Sequence, residues 1–211
     1  MKHKNIIWDW NGTIIDDAWL FVDIMNVFLS REGLPPISLN DYKQHFCFPI
    51  QNYWRRLGFS FNESSFDRLN GDFINLYKKK LFKARPHFGI KAFILKLNEL
   101  GYKQFVLSAS AEKILKKSIN HYNFNDLFVG VYGVDNLNAT GKTEVGKQLC
   151  KTHKLNINET VLIGDTEYDK RVADELGCSV FLLSYGHFCS KRLLALNEPV
   201  FNTLEKLFLS L

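Results

Sequence analysis

The chain has 211 residues, 46% hydrophobic and 23% charged, with five prolines, a profile that suits a globular protein and excludes a disordered or collagen-like one. That length accommodates a core domain of roughly 130–150 residues with a smaller inserted one, and the sequence has no apolar run near the roughly 20 residues needed to span a bilayer. The net charge of +5 suits an anionic substrate, whereas Lys78, Lys79, Lys80 and Lys83, and Lys113, Lys116 and Lys117, fall at helical spacing without interleaved aromatics and read as solvated faces, not a nucleic-acid surface.

In chain order, Met1-Lys2-His3-Lys4 leads straight into a strand and lacks the apolar run of a signal peptide, so the cytoplasm is the expected compartment. Asn5-Ile6-Ile7-Trp8-Asp9 reads as a short buried strand ending in a carboxylate, and Asn11-Gly12 supplies a turn signal behind it. From about Ala18 to Phe82 no strand pattern is convincing. Leu20, Ile24, Val27 and Phe28 fall on one helical face and Leu69, Phe73, Leu76 and Tyr77 on another, with breaks at Gly33-Leu34-Pro35-Pro36, Pro49 and Gly58. Residues 17–83 therefore read as a helical insertion into a unit made of 1–16 and 84–211.

After Arg85-Pro86 the pattern alternates. A helix Ile90–Leu100, a strand Gln104–Leu107, a helix Ala111–Tyr122 and an apolar run Phe128–Tyr132 are followed by a helix Thr143–His153 and a strand Thr160–Ile163. A helix Tyr168–Leu176 closed by Gly177 and a strand Ser179–Leu183 complete the series. Such alternation predicts an α/β fold with a doubly wound parallel sheet covered on both faces, which binds ligands at the carboxyl ends of its strands. The four cysteines, Cys47, Cys150, Cys178 and Cys189, form no CxxC pair, so neither a zinc site nor a disulfide frame is expected.

Four polar signals fall at expected strand ends or the loops beside them: Asp9-Trp10-Asn11-Gly12-Thr13, then Ser108, then Lys142 after Thr140-Gly141, then Gly164-Asp165-Thr166-Glu167-Tyr168-Asp169. Each has a plain structural reading. Asp9 could close a turn, Ser108 could cap a helix, Lys142 could lie on a surface, and Asp165 and Asp169 could be a turn and a cap. Together and in this order they resemble the haloacid dehalogenase superfamily, in its phosphoglycolate-phosphatase-like branch, over essentially the whole chain. The helical insertion falls where that branch carries a C1-type cap.

The resemblance implies a magnesium-dependent phosphatase acting on a small phosphorylated metabolite. Asp9 would be the nucleophile, forming an aspartyl-phosphate that water hydrolyses. Asp9, Asp165 and the backbone carbonyl of Asn11 would hold Mg2+, with Asp169 supporting the metal through water or holding the lysine. Lys142 would offset phosphoryl charge, and the Ser108 hydroxyl, with backbone N–H groups of the Asn11-Gly12-Thr13 loop and of Ala109, would bind the transferring group. In the insertion, Tyr53, Trp54, Arg55 and Arg56 form a basic-aromatic cluster, with Arg55 expected to bind the substrate's non-phosphate part.

One position departs from the pattern. The family's phosphatases normally carry a second aspartate two residues after the nucleophile, which protonates the leaving oxygen and activates water; Asn11 stands there and can do neither. A substrate with a good leaving group, a stand-in for the acid, or a weakly active or non-catalytic binder of a phosphometabolite or partner protein would each accommodate this. Asp16 and Asp17 are weighed as stand-ins but read better as helix caps, and His45 and His87 have no positional support. A metal-free dehalogenase is disfavoured by the Asp165–Asp169 pair, while transfer to an acceptor other than water shares the same residues.

Overall fold

The computed structural model describes residues 2–135 and 141–211. In chain order the first half comprises β1 (Asn5–Trp8), β2 (Ile15–Asp16), α1 (Ala18–Arg31), α2 (Leu39–His45), α3 (Ile50–Arg56), α4 (Glu63–Lys80) and β3 (Arg85–Pro86). Strands and helices then alternate: α5 (Ile90–Glu99), β4 (Lys103–Ala111), α6 (Glu112–His121), β5 (Gly130–Val134), α7 (Lys142–Thr152), β6 (Thr160–Gly164), α8 (Glu167–Leu176), β7 (Ser179–Leu183), α9 (Ser190–Leu194), β8 (Val200–Phe201) and α10 (Leu204–Phe208).

Six strands form one parallel sheet in the order β5-β4-β1-β6-β7-β8. Every residue of β1 and β6 is buried, as the unbroken apolar runs Ile6-Ile7-Trp8 and Val161-Leu162-Ile163 require of strands covered on both faces. The chain leaves β1 for β4 and β5 on one side, then returns to β6 on the other, so the strand order reverses at β1. Trp8 pairs with both Val106 and Ile163, which brings the carboxyl ends of β1, β4 and β6 to one edge, where this topology opens a crevice.

Between β2 and β3 the chain is helical, as the sequence pattern predicts. The aromatic side chains of its faces form a shared core: Phe28 of α1 lies 5.6 Å from Trp54 of α3 and 5.9 Å from Phe73 of α4, ring centre to ring centre. The helix starts are set locally. Asn62 accepts from the Ser65 backbone while Ser65 returns a hydroxyl to the Asn62 N–H, a reciprocal cap that begins α4. Ser38 and Asp41 do the same for α2. The segments leading into and out of this block are tied side by side by the short β2–β3 ribbon, Ile15 opposite Pro86 and Asp16 opposite Arg85.

Three details differ from the sequence expectation. β4 continues to Ala111 instead of ending at Leu107, so Ser108 lies inside the strand. The Ser108-Ala109-Ser110-Ala111 run is too small and mixed to show alternation, and its register against β5 shifts there. The β2–β3 ribbon, with two residues per strand, is too short for any periodicity to mark. β8, α9 and α10 extend the fold beyond the last expected strand. Among the described residues no helix is long and apolar enough to cross a membrane.

Candidate active site

The polar residues from separate strand ends meet at the sheet edge. Asp9 follows β1, and its N–H donates to the Ile163 carbonyl at 2.8 Å, which fixes the turn out of the strand. Asp165 follows β6, Asp169 lies in the first turn of α8, and Lys142 opens α7. Carboxylate oxygens of Asp9, Asp165 and Asp169 lie within 4.8 Å of one another, all buried. The Lys142 ammonium donates to Asp9 and to Asp169, each at 2.6 Å, and is itself only 2% exposed. Thr140, expected just ahead of Lys142, lies outside the described residues.

Asp169 is held on both sides. One oxygen accepts from Lys142; the other accepts from the Thr166 hydroxyl at 2.7 Å and from the backbone N–H groups of Thr166 and Asp165, so the residue caps α8 while orienting the lysine. Asp165 accepts from the Thr13 hydroxyl at 2.8 Å and from the His187 backbone N–H. Gly12, at φ +76°, and Gly186 let two loops close on Asp165, since a Cβ at either position would overlap its carboxylate.

Burial sets the electrostatics. It pushes the Asp9 carboxyl up to about 8, with the Asp169 and Asp165 charges adding to the rise and Lys142 opposing it. Burial likewise raises Asp165 to about 6, against the pull of His187. For Asp169 burial is outweighed by the charge and hydrogen bond of Lys142, which hold it below its usual value. Burial would lower Lys142, but Asp169 and Asp9 keep it above its ordinary range.

Three buried carboxylates thus face one buried lysine, and all the acidic donors are oxygen. That set fits a small hard cation such as Mg2+, which takes oxygen ligands and would relieve the surplus negative charge. A protonated carboxyl is a poor ligand, so cation binding must displace protons from Asp9 and Asp165. Below about pH 6 both would be protonated in the metal-free protein and above about pH 8 both ionised. At a fixed Mg2+ concentration, the rise in Tm over an EDTA control should therefore grow as pH increases from 6 to 8, with apparent affinity changing by up to about tenfold per unit while one carboxyl is emptied. Differential scanning fluorimetry across that range checks this; a shift independent of pH contradicts it.

Asn11 is a tie between elements. Its amide donates to the Asp17 carboxylate at 2.5 Å and to the Tyr77 hydroxyl of α4 at 2.8 Å, and its carbonyl accepts from Ser110 of β4 at 2.7 Å. Asp17 corrects a sequence expectation. It occupies the position before α1 but makes no side-chain cap bond. Its buried carboxylate accepts from Asn11, Tyr77 at 3.0 Å and the Gly12 N–H at 2.9 Å, and lies 3.2 Å from His187 Nε2. Asp16, by contrast, is exposed in β2.

His187 went unnoticed in the sequence. It follows β7, whose end shares the edge with β6, so reading the loop after Leu183 as a further strand end was the available signal. Its Nδ1 pairs with the Tyr42 hydroxyl of α2 at 2.7 Å. Burial would lower the imidazole, but the hydrogen bond and charge of Asp17 outweigh it and raise its pKa. Of the weighed histidines, His87 contacts the Gly12 carbonyl at 2.9 Å, while His45 is exposed at the end of α2.

Between these groups and α1–α4 lies a cavity of about 140 Å3, bordered by Asp9, Asn11, Ser108, Ala109, Lys142 and Asp169 on the sheet side. The Ser108 hydroxyl, buried here, accepts the Ser110 N–H at 3.1 Å. Tyr53 and Trp54 line the cavity from the helical side, but the expectation for Arg55 is not met. Arg55 points to solvent, its guanidinium 4.9 Å over the Phe61 ring, because α3 presents residues 53 and 54 inward and 55 and 56 outward.

The model of the haloacid dehalogenase-like hydrolase family matches residues 6–183, and the chain belongs to that family. Phosphoglycolate phosphatases are among the proteins the chain is similar to. It is 24% identical over 198 residues to a phosphoglycolate phosphatase of Psychrobacter arcticus, covering 89% of this chain and 86% of the relative. It is 24% identical over 191 residues to that of Rhodobacter capsulatus, covering 86% and 84%. A structure described as a predicted phosphatase from Clostridium acetobutylicum superposes with a TM-score of 0.86 at 19% identity over the full length of both chains, a likeness of fold.

Proposed function

We propose that this phosphatase hydrolyses a small-molecule phosphate monoester through an aspartyl-phosphate on Asp9, with Mg2+ as cofactor. The observation that carries the reading is the convergence of the Asp9, Asp165 and Asp169 carboxylates with a buried lysine bridging two of them. Residues 17–83 serve as the cap over a core of 1–16 and 84–211, and the β2–β3 ribbon at their junction supports that division. The small cavity under the helices supports a metabolite-sized substrate.

Asp9, Asp165 and the Asn11 backbone carbonyl would hold the metal, whose chemistry is to neutralise phosphoryl charge. Lys142, anchored by Asp169, stands beside the nucleophile and offsets charge on the same group. A carboxylate oxygen of Asp9 attacks phosphorus, the bond to the leaving oxygen breaks with its electron pair going to that oxygen, and water then attacks phosphorus to return Asp9 and release phosphate. Ser108 and Ala109 line the cavity beside Asp9 and would bind the phosphoryl group, whereas the Gly12 N–H is taken by the Ile15 carbonyl and the Asp17 carboxylate and neither Gly12 nor Thr13 lies on the cavity wall. Colorimetric phosphate release from a panel of esters, phosphoglycolate included, tests the reading: activity abolished by EDTA and restored by Mg2+ is expected, and release indifferent to metal contradicts it.

Asn11 shapes the chemistry by omission, since its amide is committed to Asp17 and Tyr77 and supplies no acid. Replacing it alone, Asn11→Asp, would press a second carboxylate against Asp17 and force the two to share a proton, at a cost of about 1–3 kcal/mol. The exchange Asn11→Asp with Asp17→Asn keeps charge and hydrogen-bonding capacity while moving the acid to the cavity wall. That double variant should recover stability and raise kcat/KM on alkyl phosphates by on the order of 10²-fold. Steady-state kinetics beside thermal melts check it, and a stable double variant with no gain would show that the missing acid does not limit turnover.

A further inference from the structure

The cavity above Asp9 says more about the leaving group than the family does. Its helical side is mostly apolar, Phe21, Met25, Phe46, Trp54, Phe73 and Ile74 among its residues, with Tyr42, Tyr53, Asn70 and Tyr77 adding the polar atoms. Among the described residues the cationic or potentially cationic side chains on its wall are Lys142, held by Asp9 and Asp169, and His187, held by Asp17 and Tyr42. By sequence, 136–140 adds no lysine or arginine. A substrate carboxylate placed against this wall would lose its hydration without gaining a free cation to pair with. The volume, about 140 Å3, is close to that of engineered apolar cavities that accept a single benzene ring, of about 150 Å3. Of the polar groups on this side, the Tyr42 hydroxyl is engaged by His187, the Tyr77 hydroxyl by Asp17, and Asn70 is not free, while the Tyr53 hydroxyl is buried on the wall with no hydrogen-bond partner among the described residues and can serve a ring substituent.

Resting on the phosphatase reading above, we propose that the substrate is an aryl phosphate: a phosphate monoester of a single-ring, phenol-type alcohol seated against Phe21, Phe73 and Trp54. Two independent features favour the same chemistry. The apolar wall selects an uncharged ring, and Asn11 leaves no acid for the leaving oxygen, which a phenolate, stable without concerted protonation, does not need. Asp9 forms its bond to phosphorus, the P–O(aryl) bond breaks with its electron pair remaining on the phenolate oxygen, and that oxygen takes its proton from solvent. Water completes the cycle by displacing phosphate from Asp9.

The test is kcat/KM with Mg2+ for phenyl phosphate, a series of ring-substituted phenyl phosphates, glycerol phosphate and phosphoglycolate. Phenyl phosphate should exceed phosphoglycolate and glycerol phosphate by at least about tenfold, and log kcat/KM should fall steeply as the leaving phenol becomes less acidic. The part-exposed Ile74 offers a second measurement, since Ile74→Arg puts a cation on the wall and should shift the ratio toward phosphoglycolate by about tenfold or more. Preference of the wild-type chain for phosphoglycolate, or a rate insensitive to leaving-group acidity, overturns the aryl assignment and leaves the phosphatase reading standing. Metal-dependent release from no ester at all overturns both.

Discussion

Asp9→Asn should lower phosphate release by about 10⁴-fold or more while leaving the protein folded, because removing the attacking group of a covalent mechanism removes the step itself. The amide is close in shape to the protonated carboxyl, the form that burial favours below about pH 8 in the metal-free protein. Thermal stability without metal should therefore hold or rise, as expected where a functional charge is kept in place against its own desolvation. The Mg2+-induced rise in Tm should shrink with the loss of one ligand. Retention of more than about a tenth of wild-type turnover would remove Asp9 from the role of nucleophile, since nucleophile deletions cost orders of magnitude.

Lys142→Met should damage both stability and turnover. The substitution keeps a long side chain but strands Asp9 and Asp169, which the buried ammonium bridges at 2.6 Å on each side. Breaking a buried ion pair from one end costs about 3–5 kcal/mol, which for a chain of this size is a fall in Tm on the order of 10 °C. Asp169, held below its usual value mainly against burial by Lys142, loses that support. Protonation can relieve a stranded carboxyl, so the loss should be larger at pH 8 than at pH 5.5. Catalytically, loss of a fixed cation beside developing phosphoryl charge should reduce kcat by about 10²–10³-fold. Melts at the two pH values and kinetics with saturating Mg2+ measure both effects; a melt unchanged at pH 8 would contradict the bridging geometry.

The parallel sheet was readable because its strands are buried on both faces and write unbroken apolar runs, Ile6-Ile7-Trp8 and Val161-Leu162-Ile163 among them. Asp9, Ser108, Lys142 and Asp165 could be picked out for a related reason: each stands where such a run, or the loop beside it, gives way to polar residues. The geometry brings Asp9, Lys142, Asp165 and Asp169 into one cluster across more than 150 positions of sequence. Asp17 and His187 were not readable in this way. An aspartate ahead of a helix looks like a cap, and only coordinates reveal that its carboxylate turns away to Asn11, Tyr77 and His187. Arg55 shows the opposite error. Its neighbours Tyr53 and Trp54 do face the cavity, but a four-residue cluster on one helix cannot present every member to the same side.

The Asn11–Asp17 pair links these points to function. At the position where an acid would reach the leaving oxygen stands an amide, and the carboxylate lies one layer deeper, fully buried and satisfied by four donors. The pair ties the Asn11 loop to Tyr77 of α4 and Ser110 of β4. Under the proposed mechanism turnover should depend on the leaving group, as the mostly apolar wall of ring size also suggests.

The most direct test of the central claim is a crystal structure of the protein with beryllium fluoride and Mg2+. The account predicts a fluoroberyllate bonded to an oxygen of Asp9, Lys142 against its fluorines, and a cation at about 2.1 Å from oxygens of both Asp9 and Asp165. A fluoroberyllate that does not engage Asp9, or a cation bound out of reach of Asp165, would contradict it.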